Sequence, residues 1–160
     1  MLHDPASIQP IRDPDGAICR PLNAAAFGYW NSIRDSRGMP ARTDLDPLDI
    51  PQLLPSIILL DVLHEPRDFR YRLVGTRWVW HFGRDDTGRL MSDLPHQRAP
   101  SRVWDACCAV VAQRRPHLPA DIPYVGKQPG YSAIEPLIMP LSRDGFNVNM
   151  LFVTVDFTDS

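Results

Sequence analysis

Lysine is almost missing from this chain: Lys127 is the only one, and every other basic side chain is arginine. The net charge of −2 leaves no basic surplus, which excludes an electrostatic footprint for nucleic acid or for an anionic membrane surface. No run of about 18 apolar residues occurs, so no membrane-spanning helix is expected. The first residues, MLHDPASIQPIRDPDG, carry acids and prolines where a signal peptide has a basic start and an apolar core. Cys19, Cys107 and Cys108 are too few for a disulfide framework, and two adjacent cysteines do not make a Cys-x-x-Cys pair. These absences point to a cytoplasmic protein with reduced thiols. His3, His64, His81, His96 and His117 show no His-x-x-x-His spacing, so no metal site is expected.

Proline is what the chain has in plenty. Its 17 prolines are spread along 160 residues, so they punctuate short elements and mark no single linker. At 44% hydrophobic and 22% charged, the chain is long and apolar enough for one globular core. The expected organisation is a mobile arm over residues 1–20, a helix with a proline-rich connection over 21–55, and a core over 56–158.

Pro21 suits a first helical turn, and Leu22, Ala25, Ala26, Tyr29, Trp30 and Ile33 follow at helical spacing. That pattern predicts an amphipathic helix from Pro21 to Arg37, ended by Gly38. A short helix is expected around Asp49 to Leu54. Ile57 to Leu63 is an apolar run, Glu65 to Asp68 makes a turn, and Phe69 to Val74 alternates with Arg70 and Arg72; together they read as a β-hairpin. A helix from Pro100 or Ser101 through Arg115 carries apolar residues around more than one face and is expected to be largely buried. Three strands complete the reading: about Ile122 to Val125, Ala133 to Leu141, and Val148 to Phe157. The last is apolar on both faces, so it should be covered on both.

The motifs that carry chemistry are sparse. Gly83 and Gly88 have the spacing of a phosphate loop, but Arg89 and Leu90 stand where Lys and Ser or Thr are required. Turns at the two glycines, with Asp85 or Asp86 capping a short helix, explain the segment better. His81, between Trp80 and Phe82, has the option of ligating a haem iron but is more simply a packed side chain. Cys107 and Cys108 read as small hydrophobes. Glu135 falls among Ala133, Leu137 and Met139 on one strand face, either paired there or reaching solvent at a strand edge. Trp78, Trp80, Phe82 and Trp104 are either core or the wall of a pocket.

The ordered set Trp30 with Arg34, Leu54-Pro55 before ILLDV, FRYRLVGT (69–76), Gly83-x-Asp85-x-Thr87-Gly88-Arg89 and Pro140-Leu141-Ser142-x-x-Gly145 resembles a PAS domain. More specifically, it is similar to a bacterial single-domain PAS-like family of uncharacterised activity. The resemblance covers residues 25 to 157. It implies an α+β fold: a five-stranded antiparallel sheet, a helical cluster cupping a small cavity on one face, and the N-terminal amphipathic helix beside it. It also implies a sensory module that binds a small molecule and signals by protein–protein contact, and no enzyme. The chain lacks the Asn-Cys-Arg-Phe run of flavin photosensors, and its helix 101–115 lacks the histidine of haem-binding relatives, so no flavin or haem cofactor is expected. Tyr71, Trp78, Phe82, Trp104, Cys108 and Glu135 are the expected ligand contacts. Leu22, Ala26, Tyr29 and Ile33 are the expected homodimer interface, and a signalling protein such as a histidine kinase is the expected class of further partner. Two alternatives remain: a ligand-free dimerising adaptor whose cavity is filled by its own tryptophans, and a small cone-fold enzyme using Glu135 or Asp61 as a base.

Overall fold

A computed structural model describes residues 19–120 and 122–160. Most of the arm expected over residues 1–20 therefore lies outside the described residues, but its last two residues do not behave as an arm. Cys19 is buried in the core, and the Arg20 amide donates to the Glu135 carboxylate at 3.0 Å. These two residues fasten the chain to the sheet just ahead of the first helix.

Helix α1 spans Pro21–Arg34 and ends three residues earlier than expected. The Arg37 guanidinium donates to the carbonyls of Arg34 and Ile33 at 3.1 and 2.8 Å, satisfying acceptors that the helix end leaves open. The connection that follows contains 3-10 turns at Arg42–Asp44, Pro47–Asp49 and Leu54–Ser56 in place of the single short helix expected near residues 49–54. Strands β1 (Ile57–His64) and β2 (Arg67–Val74) form the expected hairpin. Helix α2 (Thr76–Phe82) and a 3-10 turn at Met91–Asp93 lead to helix α3 (Arg102–Gln113), whose N-terminus is capped by the Ser101 hydroxyl accepting from the Trp104 amide. Strands β3 (Ile122–Pro123), β4 (Tyr131–Ser142) and β5 (Val148–Asp159) close the fold. All neighbours are antiparallel, in the order β2-β1-β5-β4-β3.

The β1–β2 register slips between Leu59 and Leu60, leaving Arg72 as an extra residue in β2. A bulge reverses the alternation beyond it. Phe69 and Tyr71 therefore point inward, while Leu73 is turned out to solvent, against the simple alternation of the sequence.

Strand β4 tolerates Pro136 and Pro140 because of its position. The N–H of Ile138 points away from β5, toward the carbonyl of His117, and the two prolines share that direction. Among the described residues, no strand pairs with β4 on that side beyond Ile134, so the missing N–H groups break no ladder. The Pro140 carbonyl on the same side accepts the Trp30 indole N–H at 2.9 Å, which pins α1 to the sheet.

Strand β5 is buried on both faces, as its sequence demands. One face carries Phe152 and Thr154 with Glu135, Leu137 and Met139 of β4, and α1 packs there. Asn23, which has no exposed surface, ties the two layers: its amide donates to the Glu135 carbonyl and carboxylate, each at 2.8 Å, and its oxygen accepts from Thr154 at 2.7 Å. The other face carries Ile58, Leu60, Ile134, Ile138, Val153 and Val155, with α2 and α3 above it.

The expected dimer stripe on α1 is divided by this packing. Ala26 has no exposed surface and is spent on the protein's own sheet, so it is removed from any intermolecular contact. Leu22, Tyr29 and Ile33 are half-buried against the core. The Tyr29 hydroxyl also accepts from the Asp46 amide at 2.8 Å, which commits it to the following connection.

Candidate functional site

Between the inner sheet face and the helical layer lies a cavity of about 320 Å³. The sheet contributes its floor through Ile58 and Leu60 of β1, Pro136 and Ile138 of β4, and Val153 and Val155 of β5. Trp78 and Phe82 form one wall. They sit one helical turn apart on α2, with ring centroids 4.1 Å apart. Val103 and Cys107, one turn apart on α3, form the opposite wall. Met91 and Leu94 close the space between, and Val125 and Lys127 reach it from the β3–β4 connection.

Tyr71, Trp78 and Phe82 are thus brought together at the cavity, and Trp104, Cys108 and Glu135 are not. Glu135 lies on the opposite side of the sheet, where Asn23 and the Arg20 amide engage its carboxylate. It is buried to hold α1, and the sheet itself stands between it and the cavity. Asp61 alternates with the cavity residues Leu60 and Ile58 and pairs with Arg72 at 3.1 Å. Both bases considered for a small enzyme are therefore outside this site. Trp104 packs edge-on against Phe69 with centroids 5.3 Å apart, and Cys108 lies beside it on the same stripe. The stripe that faces the cavity is Val103–Cys107, about 100° around the helix. Helix α3 is also less buried than expected, with only Ala106, Cys107 and Val110 fully inside.

The polar groups at the cavity are few. The Tyr71 hydroxyl donates to the Gln97 side-chain oxygen, and burial followed by the nearby Cys107 and Asp86 pushes its pKa up, so it stays a phenol. Burial likewise raises the Cys107 thiol well above its ordinary value, which removes thiolate chemistry there. Asp86 is buried and lies 3.0 Å from the Arg84 Nε and 3.8 Å from the Arg89 Nε. Its Oδ1 takes part in these ion pairs without an aligned hydrogen bond, and the buried Trp78 Nε1 has no hydrogen-bond partner. Asp85, in contrast, folds onto Thr87 at 2.9 Å, so neither aspartate caps a helix. Gly83 and Gly88, at φ of +77° and +90°, supply the turns.

His81 faces away from the cavity. Its ring stacks on Phe157 with centroids 3.5 Å apart, and Nδ1 meets the Tyr124 hydroxyl at 2.9 Å. Burial first and Arg77 second lower its pKa, keeping the ring neutral in the core. Through this contact the residue fastens the β3–β4 connection: the Lys127 amide donates to the His81 carbonyl at 2.7 Å, and the Gln128 side chain to the Trp80 carbonyl at 3.0 Å. The packed-residue reading of His81 describes this geometry.

Several lining residues are not among the expected ligand contacts, including Val103, Cys107, Leu94, Arg84 and Lys127. The signal available for Lys127 was its solitude in an arginine-rich chain; the small aliphatic residues offered none.

Among the described residues, no helix is long and apolar enough to cross a membrane. No curated protein and no solved structure matches the chain. A protein-family model described as PAS domain matches residues 19–151, most of the chain and every element from α1 into β5. With the five-stranded antiparallel sheet and its helical cover, that match settles the family: the chain belongs to the PAS domain family, whose members are sensory and signalling modules.

Proposed function

We propose that this domain senses a small molecule held between the inner sheet face and α2–α3, and passes the signal by contact with another protein. One observation carries the reading: a cavity of about 320 Å³ persists although four tryptophans are available to fill it. Only Trp78 lines the space. Trp30 lies on the opposite sheet face, Trp80 is largely exposed, and Trp104 packs on Phe69. A volume near the lower end of the about 300–1,000 Å³ usual for ligand sites, apolar with a few polar groups, suits a small guest. An adaptor whose cavity is filled by its own tryptophans is less well supported, because three of the four lie elsewhere and the space persists beside Trp78.

The occupant would touch α2, α3 and the β3–β4 connection together. A ligand preferring one arrangement of these elements shifts the population toward it, which is what a sensor requires.

A thermal-shift screen of metabolites tests the proposal, with Val103→Trp as its control. Val103 is half-buried on the cavity wall, so a larger ring has room to enter the space. Overpacking should cost no more than about 1–3 kcal/mol. The expected result is at least one compound that raises the wild-type melting temperature and leaves the folded variant unaffected. A compound that stabilises both proteins equally would place its site elsewhere and contradict the proposal.

A further inference from the structure

Tyr71 and Gln97 are bonded to each other and His96 lies on the segment before α3; the other polar groups of the cavity gather at one end. The floor and the α3 wall are aliphatic apart from the Cys107 thiol, whereas Trp78, Arg84 and Asp86 belong to α2 or to the turn that leaves it. Lys127 joins them from outside. Its backbone is tied to the last turn of α2 through the His81 carbonyl, and its side chain runs across Gly83. A Cβ at Gly83 would stand 2.6 Å from the Lys127 Nζ and 3.0 Å from its Cδ and Cε, so the missing side chain is what lets the lysine lie there.

The charges at this end do not cancel. Among the described residues, Asp86 is the one carboxylate on the lining, and Arg84 and Arg89 already answer it. Lys127 has no ion-pair or hydrogen-bond partner for its ammonium among the described residues, neither a carboxylate nor a carbonyl at the end of α2. A surplus cation beside an apolar chamber matches a guest with a greasy body and one anionic, accepting head.

Resting on the cavity reading above, we infer that the ligand is an amphipathic monocarboxylate: its apolar body lies over Leu60, Ile138 and Val153, and its carboxylate faces Lys127. A cationic head would meet Arg84 and Lys127 on the lining, and the one aspartate there is already paired. An uncharged head would gain no charge-assisted bond from the ammonium, which water otherwise solvates.

Three probes of one length separate these heads: decanoate, decan-1-ol and decylamine, each titrated below its aggregation range by calorimetry. Decanoate should bind about tenfold more tightly than the alcohol, the difference expected of one charge-assisted hydrogen bond, and decylamine should bind more weakly than the alcohol. Lys127→Met keeps the apolar stem of an exposed side chain, so the fold should be unaffected. It should reduce decanoate affinity to that of the alcohol and leave the alcohol unchanged. The inference is overturned if the alcohol or amine equals decanoate, or if Lys127→Met leaves decanoate binding intact. Should all three probes fail while a different compound passes the Val103→Trp control, the head-group assignment falls and the cavity reading stands. Silence from every compound removes both.

Discussion

Adding one methyl group at Gly75 should destabilise the protein by about 3 kcal/mol or more, near the upper end for overpacking. The cause is contact, not conformation. Gly75 has φ −64° and ψ 152°, which any residue adopts, so the turn itself needs no glycine. A Cβ there would clash with the Pro55 carbonyl oxygen and stand 2.7 Å from its carbon and 2.8 Å from the Ile57 oxygen, all backbone atoms that no rotamer change can move aside. The Gly75 amide also donates to the Ile57 carbonyl at 2.8 Å, so β2 reaches α2 pressed against the start of β1. Relieving the clash must shift α2, and with it the Trp78–Phe82 wall of the cavity. In a chain of this size the melting temperature should fall by roughly 10 °C. Gly28→Ala supplies the contrast: nothing lies within 4 Å of its Cβ position on α1, and alanine there should be neutral or stabilise by up to about 1 kcal/mol. Chemical denaturation of both variants reads the difference, and a Gly75→Ala protein as stable as wild type would mean that α2 is not seated as described.

Asn23→Leu should be comparably damaging, at about 3–5 kcal/mol, because it strips partners from a buried carboxylate and a buried hydroxyl at once. Asn23 and Thr154 have no exposed surface, and the Glu135 carboxylate would keep only the Arg20 amide. Leucine fills the volume, so the loss measured is chiefly that of unanswered polar groups. Replacing both ends of the main contact, as Asn23→Leu with Glu135→Leu, should therefore cost less than the two single changes added together. Additive losses in urea denaturation would show that the two side chains do not act as a unit. Ligand binding in the cavity should survive the double variant if it folds, since the network lies beyond the sheet.

The order of elements was legible because proline, glycine and alternation punctuate this chain strongly. The hairpin, the three later strands and the two-sided burial of β5 follow from those patterns, and their joining into one antiparallel sheet from the resemblance to a PAS domain. What remained hidden has definite physical reasons. Alternation put Glu135 correctly beside Leu137 and Met139, but a sheet apolar on both faces does not declare which face looks into a cavity. Leu73 was misplaced because one extra residue, Arg72, reverses the faces and leaves no mark in composition. On α3, Val103–Cys107 and Trp104–Cys108 are two adjacent apolar stripes, and the bulkier one drew attention. A cavity persists where side chains are small, so valine and cysteine line it and the tryptophan does not. Helix α1 was drawn too long because the sequence does not show Arg37 folding back onto the last carbonyls.

The four tryptophans offer a direct test of where a ligand sits. In a ¹H–¹⁵N spectrum each gives one indole signal, and Trp78→Phe and Trp30→Phe identify the two that matter. The Trp78 Nε1 is buried at the cavity without a partner, whereas the Trp30 Nε1 is held by the Pro140 carbonyl on the far side of the sheet. Titrating a compound that raises the melting temperature should move the Trp78 signal progressively and leave the Trp30 signal in place. Movement of Trp30 with Trp78 unchanged would put the ligand outside the cavity and contradict the account.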